Sequence, residues 1–234
     1  MHPKNLLMQK ISAALNNNRI YFGGLIAILV TAILFLLLNG KEAAFLSSDT
    51  YHPFYLNVFF INYTFMGDGF FAICLVAVII YYFKKRKLGF ALLYSFLISG
   101  LAVQIIKNLV NSTGPKLYFE AGTYLNFING VTPGGHAGFP SGHTATAFAI
   151  ATVLVLMIRK RKLQLLILLA AVLIGYSRIY LAQHFLQDII VGALLGTVSG
   201  ILSFYLVQNR ITIKRSMKNI YQLSSSSPDT IQAA

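Results

Sequence analysis

Apolar residues in this chain come in long runs, not in alternation. Six runs stand out: 20–38, a second that begins at 58 or 69 and ends at 83, then 88–110, 144–158, 163–181 and 189–207. An α-helix needs about 20 apolar residues to cross a hydrocarbon core about 30 Å thick, and these runs approach or reach that length. The pattern predicts an all-α integral membrane bundle of six transmembrane helices. The first run is long and lacks a small-residue cleavage site, so it reads as a span and not as a cleaved signal. Residues 1–218 form one six-span domain. Residues 219–234, with Ser224, Ser225, Ser226 and Ser227 before Pro228, read as a disordered cytoplasmic tail.

Between the runs the polar residues are strongly biased in sign. Lys4, Lys10 and Arg19 precede the first run, and Lys84, Lys85, Arg86 and Lys87 separate the second from the third. Arg159, Lys160, Arg161 and Lys162 separate the fourth from the fifth, and Arg210, Lys214, Arg215 and Lys218 follow the sixth. If the chain crosses six times, these clusters share one side, and they hold most of the 19 basic residues. The positive-inside rule puts that side, with both termini, in the cytoplasm. The net charge of +13 is therefore a topology signal with some attraction to anionic lipid, and nucleic-acid binding is set aside.

The composition agrees, with 56% hydrophobic residues and a mean hydropathy of +0.68. Cys74 is the single cysteine, so no intramolecular disulfide forms. The aromatic-rich stretch 41–68 reads as an outer loop with a short interfacial helix, or as a lid at which lipid enters. Gly192, Gly196 and Gly200 put small residues on one face of the last run. They suit close packing inside the bundle, with a dimer face as the alternative.

Ionisable residues inside or at the ends of membrane runs are costly, so their placement points to chemistry. Lys107, Arg178, His184, Asp188 and His143 all fall at run ends on the outer side. His184 and Asp188 are four apart and share a helical face. A carboxylate on one imidazole nitrogen fixes the tautomer and frees the other as nucleophile or base; a metal-binding pair or a satisfied polar cap is the competing reading. Arg178 offers a planar fork to phosphate oxygens. Pro140, Ser141, Gly142 and His143 open the fourth run, with Ser141 as N-cap and the helix amides as an anion site. His143 in that first turn can donate a proton to a leaving oxygen, or be a buried hydrogen-bonded residue. Lys107 completes a phosphate cradle, or snorkels to the headgroups. His136, in the glycine-rich loop, is a minor candidate.

Two of these clusters match motifs of a known family. Pro140-Ser141-Gly142-His143 and Ser177-Arg178, followed by His184 and Asp188 at fixed gaps, resemble the second and third motifs of the type 2 phosphatidic acid phosphatase superfamily. The region from 68 to 200 is similar to its membrane branch. The first motif, Lys-x6-Arg-Pro, is matched by Lys107 and Pro115 only, because Gly114 stands where the family has arginine; Lys116 follows directly.

The resemblance implies a metal-independent lipid phosphatase without cofactor. His184 would attack phosphorus to form a phosphohistidine, Asp188 would orient it, and His143 would protonate the leaving group. Lys107, Arg178, Ser141 and the Gly142 amide would hold the phosphate oxygens, with Lys116 as a candidate for the missing charge. It further implies a bacterial inner membrane with the site facing the periplasm or exterior. The substrate would be a lipid phosphate or diphosphate of the undecaprenyl diphosphate or lipid A class, with phosphatidate or phosphatidylglycerophosphate next. Phosphotransfer between lipids at the same site is the alternative. A metallohydrolase built on His143, His184 and Asp188, and a transporter lined by the same charges, are the remaining readings.

Overall fold

A backbone in hydrocarbon must satisfy its own polar groups, and among the described residues all regular structure is helical. The computed structural model describes residues 9, 12–48, 50–119, 128, 131, 135, 138–158 and 160–225, with side chains described as far as 208. Helix α1 spans Arg19–Leu46 and kinks at Gly40, whose φ of +77° suits glycine alone. Helix α2 (Phe54–Tyr63) runs into a 3-10 turn at Thr64–Gly67 and then into α3 (Gly69–Ala77), which continues as a π turn at Val78–Tyr82. Then come α4 (Arg86–Leu109), the short α5 (Pro115–Tyr118), α6 (Gly142–Ile158), α7 (Arg161–Tyr180) and α8 (Leu186–Ser225).

Helices α1, α4, α7 and the Leu186–Gln208 part of α8 are long and apolar enough to cross a membrane. The pair on either side of Asp68 makes a fifth candidate, bent by 61°. Helix α6, with 17 residues, is apolar but shorter than these four, and it is the central element. Ala145, Ala149, Thr152, Val153 and Val155 are all buried along it, which is what a helix apolar all round requires. Around it, α1 faces outward over most of its length, with Leu34, Leu37 and Leu38 exposed as a lipid-facing surface needs.

The small-residue stripe of α8 packs against α6. A β-carbon added to Gly192 would lie 2.7 Å from the Ser141 carbonyl oxygen, and one added to Gly200 would lie 2.7 Å from Thr152 Cβ. At Gly196 the obstacle is backbone, the Ala145 carbonyl oxygen. The face is thus occupied inside the bundle. Gly196→Val is expected to force the two helices apart and lower thermal stability by several degrees or prevent folding, whereas Gly23→Val, with open space around it, leaves the melting temperature near wild type. Thermal unfolding in detergent checks this.

Polar contacts fasten the basic end of the bundle. Gln164 on α7 donates to Asn18 Oδ1 and to the Asn17 carbonyl, and its Oε1 accepts from the Tyr21 amide. Tyr21 and Thr152 share a buried hydrogen bond of 2.9 Å between α1 and α6.

Two stretches differ from the sequence reading. The aromatic segment 41–68 is mostly helix, because Gly40 turns α1 instead of ending it and α2 supplies part of the second apolar stretch. Helix α8 continues to Ser225, into the segment read as a tail, because no glycine or proline interrupts 201–225. Residues 226–234 lie outside the described residues.

Candidate active site

The ends of α4 and α7 and the starts of α6 and α8 meet at one end of the bundle, and the candidate residues sit there. The α7–α8 junction sets the geometry. Ala182 takes a φ of +52°, and the Arg178 carbonyl accepts from the amides of both Gln183 and His184. This hook turns His184 back over the end of α7. Asp188 then does two jobs with one oxygen. Its Oδ2 accepts from the Phe185 amide at 2.9 Å, the return half of a capping box, and lies 3.4 Å from His184 Nδ1. A carboxylate that is 1% exposed and tied to backbone is a fixed acceptor. It sets Nδ1 as the protonated nitrogen of a neutral His184 and leaves Nε2 with a free lone pair. Burial holds the His184 imidazole below its ordinary value, against the opposing pull of Asp188, so the neutral ring prevails.

Arg178, from the last turn of α7, is 7% exposed. One Nη donates to Thr64 Oγ1 at 2.8 Å, while Nε has no partner among the described residues. A buried guanidinium with a donor to spare is a ready donor site for an anion. Lys107, half-buried in the last turn of α4, lies within electrostatic reach of Arg178 and Asp188. His143, in the first turn of α6, feels Arg178, Asp68, His184 and Lys107.

Ser141 caps α6. Its Oγ accepts from the Thr144 amide at 3.4 Å and from Thr144 Oγ1 at 3.0 Å. Both lone pairs are then used, and its own proton remains to be donated. The Ser141 amide donates to the Asp188 carbonyl at 3.1 Å, which locks the start of α6 to the start of α8. The Gly142 and His143 amides follow as first-turn donors of α6.

Of the sequence candidates, His143, His184, Asp188, Arg178, Lys107, Ser141 and Gly142 converge. Lys116 differs from these: it is exposed on the short helix α5. Gly114 is buried, with its amide donating to the Gly135 carbonyl, and Gly138 packs so closely on it that a β-carbon there would lie 2.9 Å from the Gly114 nitrogen. His136 lies outside the described residues. Among the described residues, no group of three or more His, Cys, Asp or Glu side chains is arranged to hold a metal.

Two residues were missed by reasoning along the sequence. Asp68 approaches His143, with Oδ2 at 3.7 Å from Nε2. Lys41 places its ammonium 3.9 Å above the Tyr118 ring and 4.0 Å above the Phe185 ring, next to His184 and within reach of Asp188. It is a third cation at this end of the bundle. The only sequence signal for either was its place on the outer side.

Comparison with known proteins bears on what this arrangement is. A family model described as the PAP2 superfamily matches residues 88–212, which include every converging residue named above. The crystal structure of LpxE from Aquifex aeolicus superposes with a TM-score of 0.59 at 34% identity, covering 73% of this chain and 92% of that one. A transmembrane PAP2-type phosphatidylglycerolphosphate phosphatase from Bacillus subtilis superposes with a TM-score of 0.57 over 82% of this chain and 96% of that one; at 22% identity this likeness concerns the fold. A lipid A 4'-phosphatase from Bacteroides thetaiotaomicron is 39% identical over 87 residues, which span 37% of this chain and 38% of that relative's length. The matched region and the helices that carry the site coincide, and the chain belongs to the PAP2 superfamily of phosphatases.

Proposed function

We propose that this protein is an outward-facing lipid phosphatase that works through a phosphohistidine at His184 without a metal ion. The observation that carries the reading is the pairing of a neutral, carboxylate-anchored His184 with a buried Arg178 that has a donor to spare. One group supplies the nucleophile and the other fixes the anion.

In the first step His184 Nε2 attacks phosphorus, the N–P bond forms, and the bond from phosphorus to the lipid oxygen breaks. The departing oxygen takes a proton from His143. In the second step His143 accepts a proton from water, the water oxygen bonds to phosphorus, and the N–P bond breaks to release phosphate. Arg178, Lys107, the Ser141 hydroxyl and the first amides of α6 face the oxygens on which charge accumulates. Donors fixed in advance stabilise that charge most effectively. Lys41, over the Tyr118 and Phe185 rings, adds positive potential within reach of Asp188. Fixed cations thus do the work that a metal does elsewhere.

The topology follows from charge. Six crossings, with the basic clusters and both termini in the cytoplasm, put the α6 and α8 starts on the outer face. There the site meets a lipid headgroup while the exposed flank of α1 meets acyl chains. The match to a lipid A 4'-phosphatase favours lipid A phosphates among the candidate substrates.

The test is phosphate release by full-length protein in detergent with a chelator present, on lipid A, undecaprenyl diphosphate and phosphatidate. The expected result is chelator-resistant release, fastest from lipid A. Release abolished by the chelator contradicts the metal-free mechanism, and no release from any of the three contradicts the phosphatase reading.

A further inference from the structure

The break in the second span does more than bend a helix. The turn Thr64–Gly67 and the following Asp68 touch two of the groups that the proposed reaction uses around the phosphate, Arg178 and His143. Thr64 accepts from Arg178 at 2.8 Å. Gly67 presses on His143: a β-carbon there would lie 3.0 Å from the His143 carbonyl oxygen and 3.1 Å from its Cβ. Asp68 brings a carboxylate oxygen to 3.7 Å from His143 Nε2. That separation is ion-pair distance, short of a hydrogen bond, and such contacts tighten when a site fills.

From the rest of its surroundings His143 meets Arg178 of α7, Lys107 of α4 and His184 of the α7–α8 loop. Among the described residues, Asp68 is the one acidic group that bears on His143 in this way. An imidazole asked to carry a proton between two fixed cations needs an anion on its far side, as His184 has in Asp188. With Nε2 engaged by a carboxylate, Nδ1 is the nitrogen left to give and take the reacting proton.

We propose that Asp68 is a positioning residue for the acid and base His143, so that the site holds two histidine–carboxylate pairs, one for the nucleophile and one for the proton. This rests on the phosphatase reading. Asp68 also caps α3, with Oδ1 accepting from the Phe70 amide at 2.7 Å, but asparagine caps equally well. Asp68→Asn therefore removes charge while keeping the helix start.

The experiment compares Asp68→Asn, His143→Gln and the double variant in full-length protein, with melting temperature as the folding control. On lipid A, Asp68→Asn is expected to lower kcat, and with it the single-turnover rate of phosphoryl transfer, about tenfold or more with KM within about twofold, and to cause no further loss in the His143→Gln background. On 4-nitrophenyl phosphate, whose phenolate leaves without a proton, the phosphoryl transfer step needs no acid and its loss is expected to stay within about threefold. Equal losses in the single-turnover rate of phosphoryl transfer to the enzyme on both substrates, or losses that multiply in the double variant, overturn the inference. If wild type is active and His184→Ala is not, that failure leaves the phosphatase reading intact. A wild type inactive on every lipid overturns both.

Discussion

Replacing His184 with alanine is expected to abolish phosphate release, with kcat falling by about 10⁴-fold or more. Loss of a nucleophile removes the covalent route altogether, and what remains is the binding and electrostatic contribution of the other groups. The variant is also expected to lose about 1–3 kcal/mol of stability, because the Asp188 carboxylate stays buried with one partner fewer. His184→Asn separates the two effects, since its amide can still donate to Asp188 while it cannot form a stable phosphoryl adduct. The same residue sets a pH limit. Burial holds its imidazole below the ordinary 6.5, so the neutral nucleophile survives acidification that would protonate a free imidazole. Single-turnover phosphoryl transfer to the enzyme should therefore keep its rate below pH 6.5. The sign for stability is opposite. The unfolded ring takes up its proton first, so this group's contribution is fully present above pH 6.5 and declines as the pH falls.

The second large effect falls on Arg178. Arg178→Ala is expected to lower kcat/KM about 10³-fold and to weaken inhibition by vanadate or phosphate to a similar degree. Arg178→Lys should recover little of this. A lysine carries the charge but not the fork, and here one arm of the fork is already committed to Thr64 while Nε has no partner among the described residues and stays open to a ligand. Thr64→Val, which frees that arm without removing it, is expected to cost less than about tenfold. An Arg178→Lys variant close to wild type would mean that a point charge is enough, and the oriented-donor argument would fail.

What could be read from the sequence was whatever local chemistry fixes. Helical spacing alone puts His184 and Asp188 on one face, and a serine before a glycine and a histidine reads as a cap; both arrangements stand in the structure. The stripe of Gly192, Gly196 and Gly200 was legible as close packing, and the structure names α6 as the partner. Lipid-length apolar runs marked the helices, though not the 61° break in the second. That break decides what was missed. Asp68 reaches His143 only because the 3-10 turn interrupts the span, and nothing local announces a contact across that separation. Lys41 is similar: it follows the kink at Gly40, and the rings that hold it come from α5 and the α7–α8 loop. Lys116 shows the opposite case, where nearness in sequence to the altered first motif suggested a role that its exposed place on α5 does not share with the buried cluster.

The central claim is that phosphorus is carried on His184, and it can be read directly. Full-length protein would be mixed with a lipid phosphate labelled on the reacting phosphorus, quenched in alkaline denaturant within milliseconds, and digested for mass spectrometry. The account predicts an acid-labile phosphoryl group on the peptide that carries His184, absent in His184→Asn and longer-lived in His143→Gln. Turnover of the labelled lipid with no phosphoryl group on that peptide, or with the group on another residue, would contradict it.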